Sequence, residues 1–346
     1  MKRKERIWSM QEKTVWVVGH KNPDTDSICA AIAYAYLKNA TEEGTVFIPK
    51  RAGNINNETR YVLQRFDVKE PEMISYVGAQ IKDIDYRHTD GVSGHYSLKK
   101  AWELMRKLDV VTLPVVDVNK RLEGVIVNGD IAYSYMDILD NRILGQAKTQ
   151  YRNIIETIQG TMVTGNYHAH FTKGKVVVAS GNRETLREEV EDDDLVITGN
   201  IKERQLIAIE QNASCVIVCG KTKVDPEVVE QAKQKECVLI TTNYDSFTTA
   251  RLIHQSMPIR HFMTKENIIT FEPDDYVDDV KETMSKIRHR DFPILDEQRR
   301  LVGMMSRRHL LNMKKKQLIL VDHNEKTQAV DGIDQADILE IIDHHR

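Results

Sequence analysis

Two clusters of Asp and His, each at the end of an apolar run, stand at opposite ends of this 346-residue chain. The first follows Val15-Trp16-Val17-Val18-Gly19 and reads His20-Lys21-Asn22-Pro23-Asp24-Thr25-Asp26. The second comes in two steps: Leu320-Val321 runs into Asp322-His323-Asn324-Glu325, and Ile341-Ile342 into Asp343-His344-His345-Arg346. Short apolar runs rich in β-branched residues read as buried strands of a parallel sheet. Carboxylates and imidazoles are the donors of a divalent-metal site, and open α/β sheets collect such groups at the carboxyl ends of their strands. The spacing therefore predicts one α/β domain closed by residues from both ends of the chain, with the middle as an insertion.

The stretch after the first cluster continues that domain. Ser27 to Leu37 is an Ala-rich helix, Val46 to Pro49 a strand and Glu58 to Phe66 a second helix, the opening of a doubly wound sheet. Near Glu70-Pro71 the texture changes. Residues 98–109 are an amphipathic helix, Leu113 to Asp117 and Leu122 to Val127 are strands about the turn Asn119-Lys120-Arg121, and Asn128-Gly129-Asp130 opens a helix. The same grammar returns as a helix over Tyr276 to Arg288, strands Phe292 to Asp296 and Leu301 to Ser306, and a helix from Arg307. This is one supersecondary unit occurring twice. Between the copies lie four apolar strands, Lys175–Ala179, Leu195–Gly199, Cys215–Gly220 and Cys237–Thr242, separated by helical stretches. They make a further small α/β domain whose strand ends, in Gly or Thr, offer backbone N–H groups to a phosphate.

Length argues for more than one domain. A net charge of −3 gives no bulk attraction to nucleic acid or to anionic membranes. The four cysteines form no CxxC pair and read as buried free thiols of a reducing compartment, the cytoplasm. The basic start Met1 to Arg6 has no apolar segment behind it and is not a signal peptide, and no apolar stretch is long enough to span a bilayer. Glu191 to Asp194 reads as a solvated acidic loop, His168 and His170 as part of a polar strand or turn, and Lys314 to Lys316 as a basic linker.

The three acidic and histidine motifs, in this order, resemble the DHH phosphoesterase superfamily, specifically the manganese-dependent family II inorganic pyrophosphatases. The repeat resembles a pair of CBS domains. The segments Val196 to Glu203 and Asn243 to Ile253 resemble a DRTGG domain. The resemblance covers nearly the whole chain and implies an α/β fold: a doubly wound parallel-sheet DHH domain (residues 14–68 and 314–346) interrupted by CBS repeats (69–138 and 257–313) and a small α/β DRTGG domain (139–256). It implies hydrolysis of inorganic pyrophosphate to two phosphates with two Mn²⁺ or Co²⁺ ions per site and Mg²⁺ carried by the substrate. His20 and Asp24 would hold one ion, Asp26 and His344 the other, with Asp322 bridging them, and His345 would face the substrate as a hydrogen-bond donor. Asp322 and His345 are thus the catalytic candidates. Imidazole donors favour Mn²⁺ or Co²⁺ over an all-oxygen Mg²⁺ site. In the family the chain runs on past the DHH motif to a further metal-binding Asp and a basic domain that grips the substrate. Here Arg346 is the last residue, so the chain is expected to turn over weakly or not at all.

CBS pairs commonly bind adenine nucleotides through Gly-x-x-[Ser/Thr]-x-x-Asp. Gly124 to Asp130 keeps Asp130 but has Val127 at the hydroxyl position, whereas Gly303 to His309 keeps Ser306 but has His309 at the acid position. Asn128, Asp130, Ser306, Arg307 and Arg308 are the nucleotide-binding candidates. By resemblance AMP and ADP inhibit, ATP and diadenosine polyphosphates activate, and CBS discs pair the chain into a homodimer. Nucleic acid and membrane are not expected partners. Two other readings fit the same motifs. One is a DHH phosphoesterase acting on polyphosphate or oligonucleotides; the other is an inert catalytic half serving a nucleotide sensor.

Overall fold

The computed structural model describes residues 13–136, 140–221, 223–313 and 315–344. The chain divides into two compact units.

The first unit holds residues up to Arg87, Phe271–Phe292 and Met305 onward. Its centre is a five-stranded sheet in the order Asp337–Ile342, Gln317–Val321, Lys13–Val18, Thr45–Arg51, Glu72–Met73, all parallel. The two ends of the chain thus lie side by side, with Val18 opposite Leu320 and Val321 opposite Ile342. Both faces of the sheet are covered, as a parallel sheet requires. Val15, Val17, Ile319 and Val321 pack on Ala31, Ala35 and Phe47, while Val18, Leu318 and Leu320 pack on Val77, Ala329 and Val330. The helix Thr25–Thr41 buries Ile28, Ala31 and Ala35 on the i, i+3, i+7 stripe. It is locked to the neighbouring strand by Asn39, whose Nδ2 donates to Phe47 O (2.7 Å) and whose Oδ1 accepts from Phe47 N (2.8 Å). Lys316, in the segment read as a basic linker, is anchored: its Nζ lies 3.3 Å from Asp83 Oδ2, donates to Gly78 O (3.2 Å) and sits 5.1 Å from the Trp16 ring centroid.

The second unit, His88–Thr270 with Pro293–Met304, contains the other sheets. Strands Val176–Val178, Leu195–Thr198, Cys215–Cys219 and Val238–Thr242 are parallel, as their apolar runs predict. Gly160–Thr164 adds an antiparallel edge strand that sequence patterning did not single out. Alternate residues feed two cores: Val196, Val216, Val218 and Leu239 meet the helices carrying Leu186, Ile207 and Val228, whereas Leu195, Ile197, Ile217 and Ile240 join Ile154, Ile158, Met105 and Ile126. Cys215, Cys219 and Cys237 are buried free thiols and Cys29 is a half-buried one.

The repeat is visible at its turns. Asp117 Oδ1 accepts from Asn119 N and Arg121 N, both at 2.8 Å, and Asp296 Oδ1 accepts from Gln298 N (3.0 Å) and Arg300 N (2.8 Å). Lys120 and Arg299 take the same left-handed conformation, with φ of 62° each. The copies differ after the last strand: Asn128–Met136 is an α-helix, but Arg307–Asn312 is a 3₁₀ turn rather than the expected helix.

Glu191 to Asp194 is not wholly a solvated loop, because Asp194 is 0% exposed. Its carboxylate accepts from Lys175 N (2.8 Å) and Glu191 N (2.9 Å), with Lys175 Nζ at 3.6 Å. A buried carboxylate survives when its lone pairs are filled in this way. His170 lies in a two-residue strand paired with Thr149–Gln150, the polar-strand reading.

Candidate metal centre

The strand register brings the three motifs to one edge of the first sheet. The loop after Val18 is held by close packing: a Cβ on Gly19 would lie 1.9 Å from Ser27 Oγ. That hydroxyl accepts from His20 N (3.1 Å), and Asp24 Oδ1 caps the following helix by accepting from Ser27 N (2.9 Å). One serine thus fixes both ends of the loop that carries His20, Asp24 and Asp26.

On the other half, Asp322 N donates to Ile342 O (2.8 Å), which sets Asp322 beside Asp343 and His344. Asp322 is 6% exposed and adopts φ of 60°. A non-glycine residue in that region is a strained conformation of the kind that functional sites retain. His20 Nε2 lies 3.4 Å from Asp322 Oδ2 and 3.9 Å from Asp24 Oδ1. His344 Nδ1 lies 3.6 Å from Asp322 Oδ1, and His344 Nε2 lies 4.0 Å from Asp26 Oδ2.

Two triads result, His20–Asp24–Asp322 and Asp26–Asp322–His344, each with its donor atoms within 4.8 Å of one another. Asp322 belongs to both. Three carboxylates facing two imidazoles form a site with more negative charge than neutral imidazole can offset, a donor set that suits divalent cations. A cavity of 370 Å³ opens on the second triad and is lined by Asp26, Tyr34, Asp322, Asp343 and His344.

Neighbouring side chains stiffen this edge. His323 is buried; its Nδ1 lies 2.9 Å from Val321 O, and burial pushes its pKa below the usual imidazole value. It stands edge-on to His20, with ring centroids 6.4 Å apart. Tyr34 donates to Glu340 Oε2 (2.5 Å) and Lys38 Nζ to Glu340 Oε1 (2.5 Å), tying the helix to the strand before His344. The Lys38 ammonium holds the Glu340 carboxyl below its ordinary range. Of these supports only His323 lies within a motif; Tyr34, Lys38 and Glu340 were not marked by any. His345 lies outside the described residues.

The nucleotide-binding candidates fall in different units. In the second unit Asp130 Oδ2 accepts from Val127 N (2.9 Å), and burial raises its pKa. Asn128 lines a 740 Å³ cavity with Lys99, Trp102, Tyr135, Phe247 and Arg251, and its Oδ1 is buried without a hydrogen-bond partner. In the first unit Ser306 N donates to His309 Nδ1 (2.9 Å), so His309 fills the acid position as a cap. The Arg307 guanidinium donates to the carbonyls of Met284, Ile287 and His289, which closes the end of the helix Val277–Ser285. Arg308 is exposed.

Comparison with known proteins agrees with this arrangement. The CBS domain family matches residues 87–137 and 259–316, and the DRTGG domain family matches 153–256. A cobalt-dependent inorganic pyrophosphatase of Clostridium perfringens is 42% identical over 332 residues, which is 96% of this chain and 60% of that protein. A probable manganese-dependent inorganic pyrophosphatase of Thermotoga maritima is 35% identical over 332 residues, again 96% of this chain and 60% of the relative. The chain therefore spans about 60% of the length of these relatives. Among solved structures, the CBS and DRTGG domains of the regulatory region of the Clostridium perfringens pyrophosphatase, complexed with the activator diadenosine tetraphosphate, match with a TM-score of 0.63 and 36% identity. That match covers 66% of this chain and 99% of the other. Over 96% of its length the chain is thus similar to cobalt- and manganese-dependent inorganic pyrophosphatases, and it carries a DRTGG domain flanked by two CBS-matched segments.

Proposed function

We propose that this protein hydrolyses inorganic pyrophosphate to two phosphates and that adenine nucleotides bound in the CBS region regulate it. The observation that carries the reading is the pair of triads sharing Asp322. His20 and Asp24 would hold one Mn²⁺ or Co²⁺ ion and Asp26 and His344 the other, with Asp322 common to both. Divalent ions in such a site neutralise the adjoining phosphoryl charges and lower the pKa of an attacking water. The protein's part is to hold the donors. Gly19 and Ser27 fix the loop, and the φ of Asp322 turns its carboxylate between the two imidazoles. His345 is proposed as the hydrogen-bond donor to substrate. Mg²⁺ would arrive with the pyrophosphate.

Regulation has a path within the first unit. In the CBS-matched segment, Asp278 reaches the loop between the strands bearing Asp322 and His344, and Tyr276 reaches it through Tyr76. The Tyr76 and Tyr276 rings meet edge-on at 4.6 Å. Gln335 Nε2 donates to Tyr76 Oη (2.8 Å) and to Asp278 Oδ2. A shift of the Val277–Ser285 helix thus bears on Gln335 and on the segment joining two metal-ligand strands. The Clostridium perfringens region binds diadenosine tetraphosphate as an activator; we extend activation by diadenosine polyphosphates and ATP, and inhibition by AMP and ADP, to this chain.

A homodimer is proposed as well. Trp102, Tyr133, Tyr135, Met136 and Phe247 are all more than two-fifths exposed on the second unit, an aromatic surface of the kind that interfaces use. A cytoplasmic location is supported by the four free thiols. No helix among the described residues is long and apolar enough to cross a membrane.

Mn²⁺-dependent phosphate release, compared on pyrophosphate, polyphosphate and an oligonucleotide, tests the reaction. Pyrophosphate should be the preferred substrate, and release should vanish in His20→Ala. A preference for oligonucleotide, or release indifferent to His20→Ala, contradicts the reading.

A further inference from the structure

A cleft of 650 Å³ in the second unit is walled by nitrogen-bearing side chains and by no carboxylate. Lys148, Arg260 and Lys265 bring permanent positive charge, and His95, His170 and His261 bring imidazoles. Six such groups on one wall are not what composition supplies by chance, because acidic residues outnumber Lys and Arg in this chain, 52 to 49. Elsewhere on the same unit exposed basic groups find acids: Lys120 pairs with Asp90, Arg187 with Glu210 and Lys202 with Glu227. Among the described residues Lys148, Arg260 and Lys265 have no ion-pair partner. Arg260 Nη1 instead lies 3.4 Å from His95 Nε2. The Glu123 carboxylate acts on His95 from outside the wall. Like charges gathered without a counter-charge are unfavourable unless an anion completes them.

The wall is held in place. Lys148 takes the left-handed conformation, φ of 53°, with its N–H on Gly145 O at 2.8 Å. Asn153, 7% exposed, donates from Nδ2 to His95 O (2.9 Å), and Arg260 N donates to Gly94 O (3.0 Å). His170 sits opposite Gln150 in a strand pair. The cleft size falls within the range of small-ligand pockets. A guanidinium fork with two ammonium groups and imidazole donors is chemistry that recognises phosphate oxygens. None of Asn128, Asp130, Ser306, Arg307 and Arg308 lines it.

We propose that this cleft binds an oligophosphate, two or more linked phosphoryl groups, either inorganic or borne by a nucleotide. The test is calorimetric titration of the full chain in EDTA, which keeps the metal centre empty, with pyrophosphate, tripolyphosphate, ADP and sulfate. Pyrophosphate and tripolyphosphate should bind, sulfate much more weakly. Affinity should fall at least about tenfold in Arg260→Ala and in Lys148→Ala, the loss expected for a charged hydrogen bond, and should be unchanged in His20→Ala. Both substituted side chains are exposed, so folding is not at issue. ADP binding that is tighter than that of pyrophosphate and falls in Arg260→Ala and Lys148→Ala would assign a nucleotide-borne ligand; ADP binding that is weaker, or indifferent to both substitutions, would assign an inorganic one. Absence of oligophosphate binding, binding no tighter than that of sulfate, or indifference to both substitutions would overturn the proposal.

Discussion

Gly19→Ala is the sharpest test of how the fold places the proposed metal ligands. The new methyl carbon would stand 1.9 Å from Ser27 Oγ, 3.0 Å from Ser27 O and 3.1 Å from Ser27 Cβ. Only the first contact is impossible, so the loop or the helix start must move by about 1 Å to restore van der Waals distance. That movement breaks the 3.1 Å bond from His20 N to Ser27 Oγ. Overpacking of this kind costs about 1–3 kcal/mol. A 1 Å misplacement of a functional group costs up to about a hundredfold in function, so Mn²⁺ affinity should fall between tenfold and a hundredfold. Adding Ser27→Ala removes the 1.9 Å contact and leaves the two tolerable ones. The double variant should therefore recover most of the lost stability and part of the affinity, a non-additivity expected of residues in contact. Denaturant unfolding and calorimetric Mn²⁺ titration of the four proteins measure both quantities. A Gly19→Ala protein as stable and as tight as the parent, or strictly additive effects, would refute the reasoning.

Other consequences can be checked separately. Burial holds the His254 imidazole below its ordinary pKa, so the unfolded chain binds this proton more readily. Stability should then fall as pH drops below about 6.5, and His254→Gln should flatten that slope; an unchanged slope removes His254 from the account. Asp194→Ala removes the acceptor of two part-buried N–H donors, at up to about 1–3 kcal/mol each, and should lower the denaturation midpoint where exposed Asp192→Ala does not. Gln335→Ala cuts the contacts to Tyr76 and Asp278, so it should blunt the response to adenine nucleotides while sparing Mn²⁺ binding; a full nucleotide response in this variant rules the contact out as a route of coupling.

The sequence made the candidate metal centre legible because its proposed ligands follow apolar runs whose partners are forced. Val15–Val18 and Leu318–Val321 can bury both faces only inside a parallel sheet, and pairing them brings Asp322 to the His20 loop. The repeat was legible because the Asp117 and Asp296 turns need an Asx cap and a left-handed residue at the same offset. What was not legible depended on distant partners. Asp194 reads as one acid in a run of four until the N–H groups of Lys175 and Glu191 fill it. Arg307 reads as a phosphate ligand until the end of the Val277–Ser285 helix claims its guanidinium. The helix expected from Arg307 is a 3₁₀ turn capped by His309. The basic cleft draws on positions from 95 to 265 and has no signature along the chain.

The shared role of Asp322 is the central claim, and Mn²⁺ stoichiometry tests it most directly. Equilibrium titration should find two ions per chain in the parent protein. His20→Ala should lose one and His344→Ala the other, while Asp322→Ala should weaken both together. Loss of a single ion in Asp322→Ala, with the second bound as tightly as before, would contradict a carboxylate held in common by the two triads.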